Sequence, residues 1–177
     1  TAMIARTNSD LANDLGNLSQ RTLSLVVKNC DGIMPALPAD ISGDDAELLA
    51  AADGLLEKVR AEFDQQAFHE GLRLMWDVIA AANRYIDTQA PWALKKTDIN
   101  RMGEVLAVIV ETIRQIAILV QPVMPQSAAK LLDQLMVPDD ARGFEHIAGR
   151  ARLTSGIAIE KPQGVFPRYQ EPEGEGA

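Results

Sequence analysis

The chain has 177 residues, 47% of them hydrophobic and 24% charged, the balance of a globular protein long enough to bury a real core. Its formal net charge of −8 argues against a non-specific nucleic-acid binder, which must neutralise many phosphates, but not against one that reads a few exposed bases through a local basic patch. Cys30 is the only cysteine, and His69 and His146 are the only histidines; this excludes an internal disulfide and a cysteine-based zinc site, leaves metal ligation little support and points to a reducing, cytoplasmic setting.

No apolar run approaches the ~18 residues that span a bilayer. The opening TAMIARTNSD has no signal-peptide core and no initial Met, so the N-terminus reads as a cut boundary. Asn8, Ser9 and Asp10 suit a helix N-cap. The helix that follows, LANDLGNLSQRTLSLVVK (11–28), has an apolar stripe of Leu11, Leu15, Leu18, Leu25 and Val26, with Thr22 at its edge. On its other side Asn13, Asn17 and Arg21 recur every four residues and rise in one row, with Gln20, Ser24 and Lys28 beside it. Asn is a poor helix former, so solvated faces favour Glu, Lys and Gln. Two amides and a guanidinium in register offer the planar donors and acceptors that read a base edge or a sugar. From this helix alone, a plain solvated stripe is the preferred account.

Cys30-Asp31-Gly32 stops the first helix, and Pro35 and Pro38 prevent its restart. A second helix is expected from Asp45 to Phe63 on a stripe of Leu48, Leu49, Ala52, Leu55, Leu56 and Val59. A third runs from Gln66 to Asp87, with Phe68, Leu72, Met75, Val78, Ile79, Ala82 and Ile86 inward. The short join near Asp64 makes these two antiparallel neighbours. Asp44, Asp45 and Glu47 are accounted for by the dipole of the helix they begin. Trp76 reads as core or near-core; Tyr85 packs with its hydroxyl at the rim. After the break DTQAPWALKKTD, Asp98 caps the longest helix, Ile99 to Val123, which is apolar nearly all round and so central. Pro122 and Pro125 end it. A fifth helix covers Ser127 to Met136, and a helical turn lies at Ala141 to Ile147. The tail carries a brief extended piece, Ile157 to Ile159, before it frays. The expected architecture is all-α: an antiparallel bundle of about five main helices over 1–147 and a mostly irregular appendage over 148–177.

Catalytic signatures are missing. There is no P-loop, no GxGxxG after a strand, no GxSxG elbow and no HExxH, and no nucleophile–base pair can be named. The APW segment says more. Pro91 fixes the backbone, so the indole of Trp92 has a defined direction at low entropic cost. Beside Lys95 and Lys96, with Arg84 just upstream, it suits stacking on an unpaired base with phosphates nearby. It suits a satellite of the core equally well.

With both segments in view, the chain resembles the C-terminal anticodon-binding domain of methionyl-tRNA synthetase, a class I aminoacyl-tRNA synthetase. The matching residues are NSDLANDLGNLSQR, with Asn17, Leu18 and Arg21 as an N-L-x-x-R core, and ANRYIDTQAPWALKK, with Asn83, Tyr85, Pro91 and Trp92. LVQPVMPQSAAKLLDQL and the tail phrase GVFPR complete the match, which covers nearly the whole chain in order. The resemblance implies that Asn17 and Arg21 hydrogen-bond the edges of anticodon bases and that Trp92 stacks on the first, a cytosine in methionine tRNAs. Asn13, Pro91, Arg84, Lys95 and Lys96 would give support. A bland stripe does not predict a Pro-Trp partner, so the resemblance reverses the preference for a plain solvated stripe on the first helix.

The family's full-length enzyme is a methionine–tRNA ligase that activates methionine with ATP and then transfers it to tRNA. Its nucleotide-binding Rossmann domain carries HIGH-like and KMSKS-like signatures, and this chain has neither. The resemblance therefore implies a chain that recognises the CAU anticodon without aminoacylating. ATP and Mg, with Zn left open, would belong to the full-length enzyme. Its partners would be methionine tRNA and the enzyme's own catalytic domain, toward which the VFPR tail is expected to fold back. The end at EPEGEGA suggests a short, monomeric form. The rival readings are the equivalent domain of another class I synthetase and a protein–protein interaction module with Trp92 as its anchor.

Overall fold

The computed structural model describes residues 13–147 and 152–166, and the description is all-α. Residues 13–16 form a wider π-type turn that leads into α1 (Asn17–Asn29). Then come α2 (Gly43–Asp53), α3 (Leu55–Asp64), α4 (Phe68–Gln89), a single-turn α5 (Pro91–Leu94), α6 (Ile99–Leu119) and α7 (Pro125–Gln134). Two 3₁₀ turns, Asp139–Ala141 and Phe144–His146, follow. The caps expected at Asn8, Ser9 and Asp10 lie outside the described residues.

The centre is α6. From Val105 to Val120 every one of its side chains is buried, and α1, α2, α4, α5 and α7 all pack on it. Asp98 caps it as expected, its carboxylate accepting from the Arg101 N–H at 2.9 Å. The single helix expected over Asp45 to Phe63 is divided at Gly54 into α2 and α3, because glycine weakens a helix interior enough for packing to bend it there. The join from α3 to α4 is antiparallel and tight. A Cβ on Gly71 would stand 2.4 Å from the Phe63 ring, whose edge meets Phe68 with centroids 5.1 Å apart. Phe68, expected inward, is 54% exposed, since it begins α4 and rests on Phe63 at the tip of the hairpin.

The tail is built into the bundle. Gly32, at φ +70°, turns the chain after α1 so that Ile33 bridges Ala158 in antiparallel fashion. Met34 N–H donates to Ile157 O, and Ile159 N–H donates to Gly32 O, both at 2.8 Å. The extended piece expected at Ile157 to Ile159 thus has a partner. Further on, Gln134 holds the Gln163 backbone through both its amide atoms, and Gln20 donates to Pro162 O at 3.1 Å. Val165 is buried and Phe166 packs against the core. Of the VFPR phrase expected to fold back toward the catalytic domain in the full-length enzyme, Val165 and Phe166 here lie against this chain; Pro167 and Arg168 are outside the described residues.

A polar knot fastens this tail to α6. Glu111, fully buried, accepts from Arg114 at 2.9 and 2.7 Å, from Gln115 at 3.0 Å and from Leu153 N–H at 2.9 Å. Arg114 also donates to the carbonyls of His146 and Ile147. Arg152 clasps Asp53 at 2.8 and 2.6 Å, and Gln115 donates to the same carboxylate. Buried ions survive only when paired and hydrogen-bonded, and here the pairing joins α2, α6 and the tail.

Candidate nucleic-acid interface

Of the expected row, Asn17 and Arg21 lie one turn apart on α1, and Asn13 falls in the π-type turn that precedes it. Asn17 is exposed, and its side chain makes no hydrogen bond among the described residues. One turn on, Arg21 is partly sheltered. Its NH2 lies 3.2 Å from an Asp87 oxygen of α4, and its Nε is shielded from solvent with no hydrogen-bond partner among the described residues. The guanidinium carbon stands over the Trp92 ring, 5.8 Å from its centroid, within the range of a cation–π contact. Trp92 itself is 45% exposed. It is therefore a surface residue with Arg21 over its ring, and not part of the core.

Local geometry aims the indole. The break after α4 holds a helical turn rather than a loop. Ala90, at φ +45° and ψ +61°, ends α4 in the left-handed region and also serves as N-cap of α5. Pro91, buried, takes the first helical position, where its missing N–H costs nothing. Ala93 N–H and Leu94 N–H close on Ala90 O at 2.8 and 3.3 Å. Trp92 is thus the second residue of a one-turn helix whose direction is set by a left-handed alanine. Lys95 and Lys96 follow it, exposed.

The other expected supports lie around this centre. Asn13 is exposed and shares a groove of about 590 Å³ with Gly16, Asn17 and Gln20, walled on its far side by Gly164, Val165 and Phe166. Asn17 thus sits between Arg21 and the tail. Arg84 lines a different groove, with Asp44, Glu47, Leu48 and Tyr85, so it adds no charge to the Trp92 turn by contact. Asn83 donates to Ile79 O of its own helix. Trp76 is partly buried against the core, as expected.

The family model for the anticodon-binding domain of methionyl-tRNA ligase matches residues 37–176. The chain belongs to that family. Among similar proteins, a methionine–tRNA ligase of Rhizobium meliloti is 51% identical over 168 residues, which are 95% of this chain and 32% of that protein. The ligase of Mycobacterium tuberculosis is 48% identical over 176 residues, 97% of this chain and 33% of its own length. The chain therefore spans about a third of the ligases it matches. Its fold superposes on the free methionyl-tRNA synthetase of M. tuberculosis with TM-score 0.91, over 97% of this chain and 35% of that one. The same enzyme bound by methionyl-adenylate gives 0.89.

Within this methionyl-tRNA ligase domain, the residues around Tyr85 correct the reading from sequence. The Tyr85 hydroxyl is not at the rim; it donates to Asp45 Oδ1 at 2.6 Å in a buried contact. Asp45 is more than a dipole residue. It is 3% exposed, and Arg101 binds it through both terminal nitrogens at 2.6 and 2.7 Å. Arg101 also donates to Gln89 at 3.0 Å, and Gln89 donates to Asp44 at 2.8 Å. The Arg101 guanidinium holds the Asp45 carboxyl below the usual carboxylate range against burial, and the Tyr85 contact adds to this. Burial and the neighbouring carboxylate push the Tyr85 hydroxyl well up. An Asp in the first turn of α2 and an Arg in the first turn of α6 gave no sign in sequence that they meet.

Proposed function

We propose that this chain recognises the CAU anticodon of methionine tRNAs. The observation that supports this most directly is the stack of Arg21 on an exposed Trp92 with Asn17 one helical turn away. Bases of an RNA loop can be splayed out, stacked on an aromatic ring and read on their Watson–Crick edges. Trp92, backed by Arg21, supplies the ring. Asn17 makes no side-chain hydrogen bond among the described residues, and an amide offers donors and an acceptor together. Arg21 adds a planar donor set, placed over the indole and within ion-pair distance of Asp87. Asn13 and Gln20 extend the row toward the tail, and Lys95 and Lys96 provide charge for the loop's phosphates.

In the whole protein this recognition would serve methionine–tRNA ligation, with the catalytic domain and tRNA as partners. ATP and its metal would be handled by that catalytic domain. The test is titration of an RNA stem-loop bearing CAU against one with a scrambled loop. The CAU loop should bind more tightly, and Trp92→Ala should remove most of the difference. Equal binding by the two loops would favour a protein-interaction role for Trp92. Affinity should be low and fall with salt, because the contact is confined to one loop.

A further inference from the structure

The Trp92 turn is an excursion, residues 90–98, between the end of α4 and the start of α6. A left-handed non-glycine residue persists only where its surroundings over-determine it, and Ala90 is such a residue. Those surroundings are legible. On the entering side, Gln89 is held by Arg101 and by Asp44. On the leaving side, Asp98 caps the Arg101 N–H. The entering side is thus tied to the Arg101 guanidinium, which is itself clasped by Asp45, and the leaving side to the backbone N–H of the same residue. Asp45 receives the Tyr85 hydroxyl as well, and Tyr85 lies on the last turns of α4. A carboxylate in the first turn of α2 satisfies the helix dipole without being buried. Burying Asp45 incurs desolvation, and its directional contacts land on the residues that bracket the excursion.

We propose that Asp45, Arg101 and Gln89 are positioning residues for Trp92: they fix the direction of the turn that carries the indole without touching the bound RNA. This rests on the reading of the site as an anticodon binder. The bracket acts through Gln89, Ala90 and Pro91, so its loss leaves the indole present but unaimed.

The test is a double-mutant cycle on this chain, read as the ratio of CAU to scrambled stem-loop affinity. Gln89→Ala severs the entering side and leaves the Asp45–Arg101–Tyr85 contacts standing, so the bundle should melt as before. It should lower the ratio about tenfold alone and by less than about twofold in a Trp92→Ala background. An equal factor in both backgrounds would overturn the proposal. Arg101→Gln should act in the same direction, with partial rescue by Arg101→Lys, since an ammonium reaches Asp45 but cannot span Asp45 and Gln89 in one plane. A second readout is the fluorescence anisotropy of Trp92 as sole indole, in a Trp76→Phe background. Gln89→Ala should lower it, and unchanged anisotropy also overturns the proposal. If Trp92→Ala leaves the ratio as it was, the anticodon reading fails, and the anisotropy still decides whether the bracket aims the indole.

Discussion

Arg21 lies over Trp92, its guanidinium carbon 5.8 Å from the indole centroid, although one is carried by α1 and the other by α5. The same guanidinium pairs with Asp87 at 3.2 Å, on the last turns of α4. Arg21 is thus shared between the face of a ring and a mostly exposed carboxylate, and that carboxylate competes with any ligand for the guanidinium.

Arg21→Ala and Asn17→Ala should weaken preference for the CAU loop while moving the melting temperature by only a few degrees. The Asp87 partner is mostly exposed, and such pairs contribute about 0–1 kcal/mol; Asn17 is exposed, with no side-chain partner among the described residues. Arg21→Lys should keep salt-dependent affinity but lose preference, because an ammonium keeps the charge without the plane. Titration at two salt concentrations, with thermal melts alongside, separates these effects. A collapse of the fold in either alanine variant would reassign that residue to structure.

Asp87→Asn should tighten binding of CAU and scrambled loops alike. It removes an exposed carboxylate beside the only cation on Trp92 among the described residues, and that carboxylate repels phosphates and competes for Arg21. The check is the same titration: both affinities should rise, most at low salt.

Acid should release the Asp45 clasp. Arg101 holds the Asp45 carboxyl below its usual value, so its contribution to stability is complete above the unfolded value near 3.9 and vanishes as pH falls through the lower, folded one. The stability gap between the native chain and Asp45→Asn should therefore stay constant from neutrality to about pH 5 and narrow below about pH 4. Tyr85 acts at the other end. Its hydroxyl is pushed up, so stability is lost as pH rises above the unfolded value of about 10, and Tyr85→Phe should flatten that limb. Urea unfolding across pH reads both.

Gly71→Ala should destabilise the α3–α4 hairpin by about 1–3 kcal/mol, the usual cost of overpacking, because its new methyl would meet the Phe63 ring at 2.4 Å. Adding Phe63→Leu should restore part of the loss. If Gly71→Ala melts like the native chain, the two helices have room to part.

The helices were legible because their apolar stripes are regular: α6, greasy on every face, could only be central, and the Asn13–Asn17–Arg21 row was visible from spacing alone. The APW turn was legible as an object but not as a direction, since periodicity says nothing of a left-handed alanine at position 90. What escaped were the long-range ionic contacts. Glu111, Arg114 and Gln115 stand in the middle of an otherwise apolar helix, and charges at that depth do signal a buried knot. Their partners, Asp53 and Arg152, carry no local mark. Asp45 escaped for the opposite reason: a carboxylate at a helix start already has an adequate explanation.

The knot at Glu111 has a practical consequence for dissecting this domain. Cutting the chain after the last helical turn, at Ile147, would look harmless by secondary structure, yet it would strip Glu111 of Arg152 and of the Leu153 N–H and strip Asp53 of Arg152. A minimal fragment drawn around helices alone would therefore keep the Arg114 and Gln115 contacts but lose the tail's share of the knot, and its domain boundary belongs past the pinned glutamine at 163.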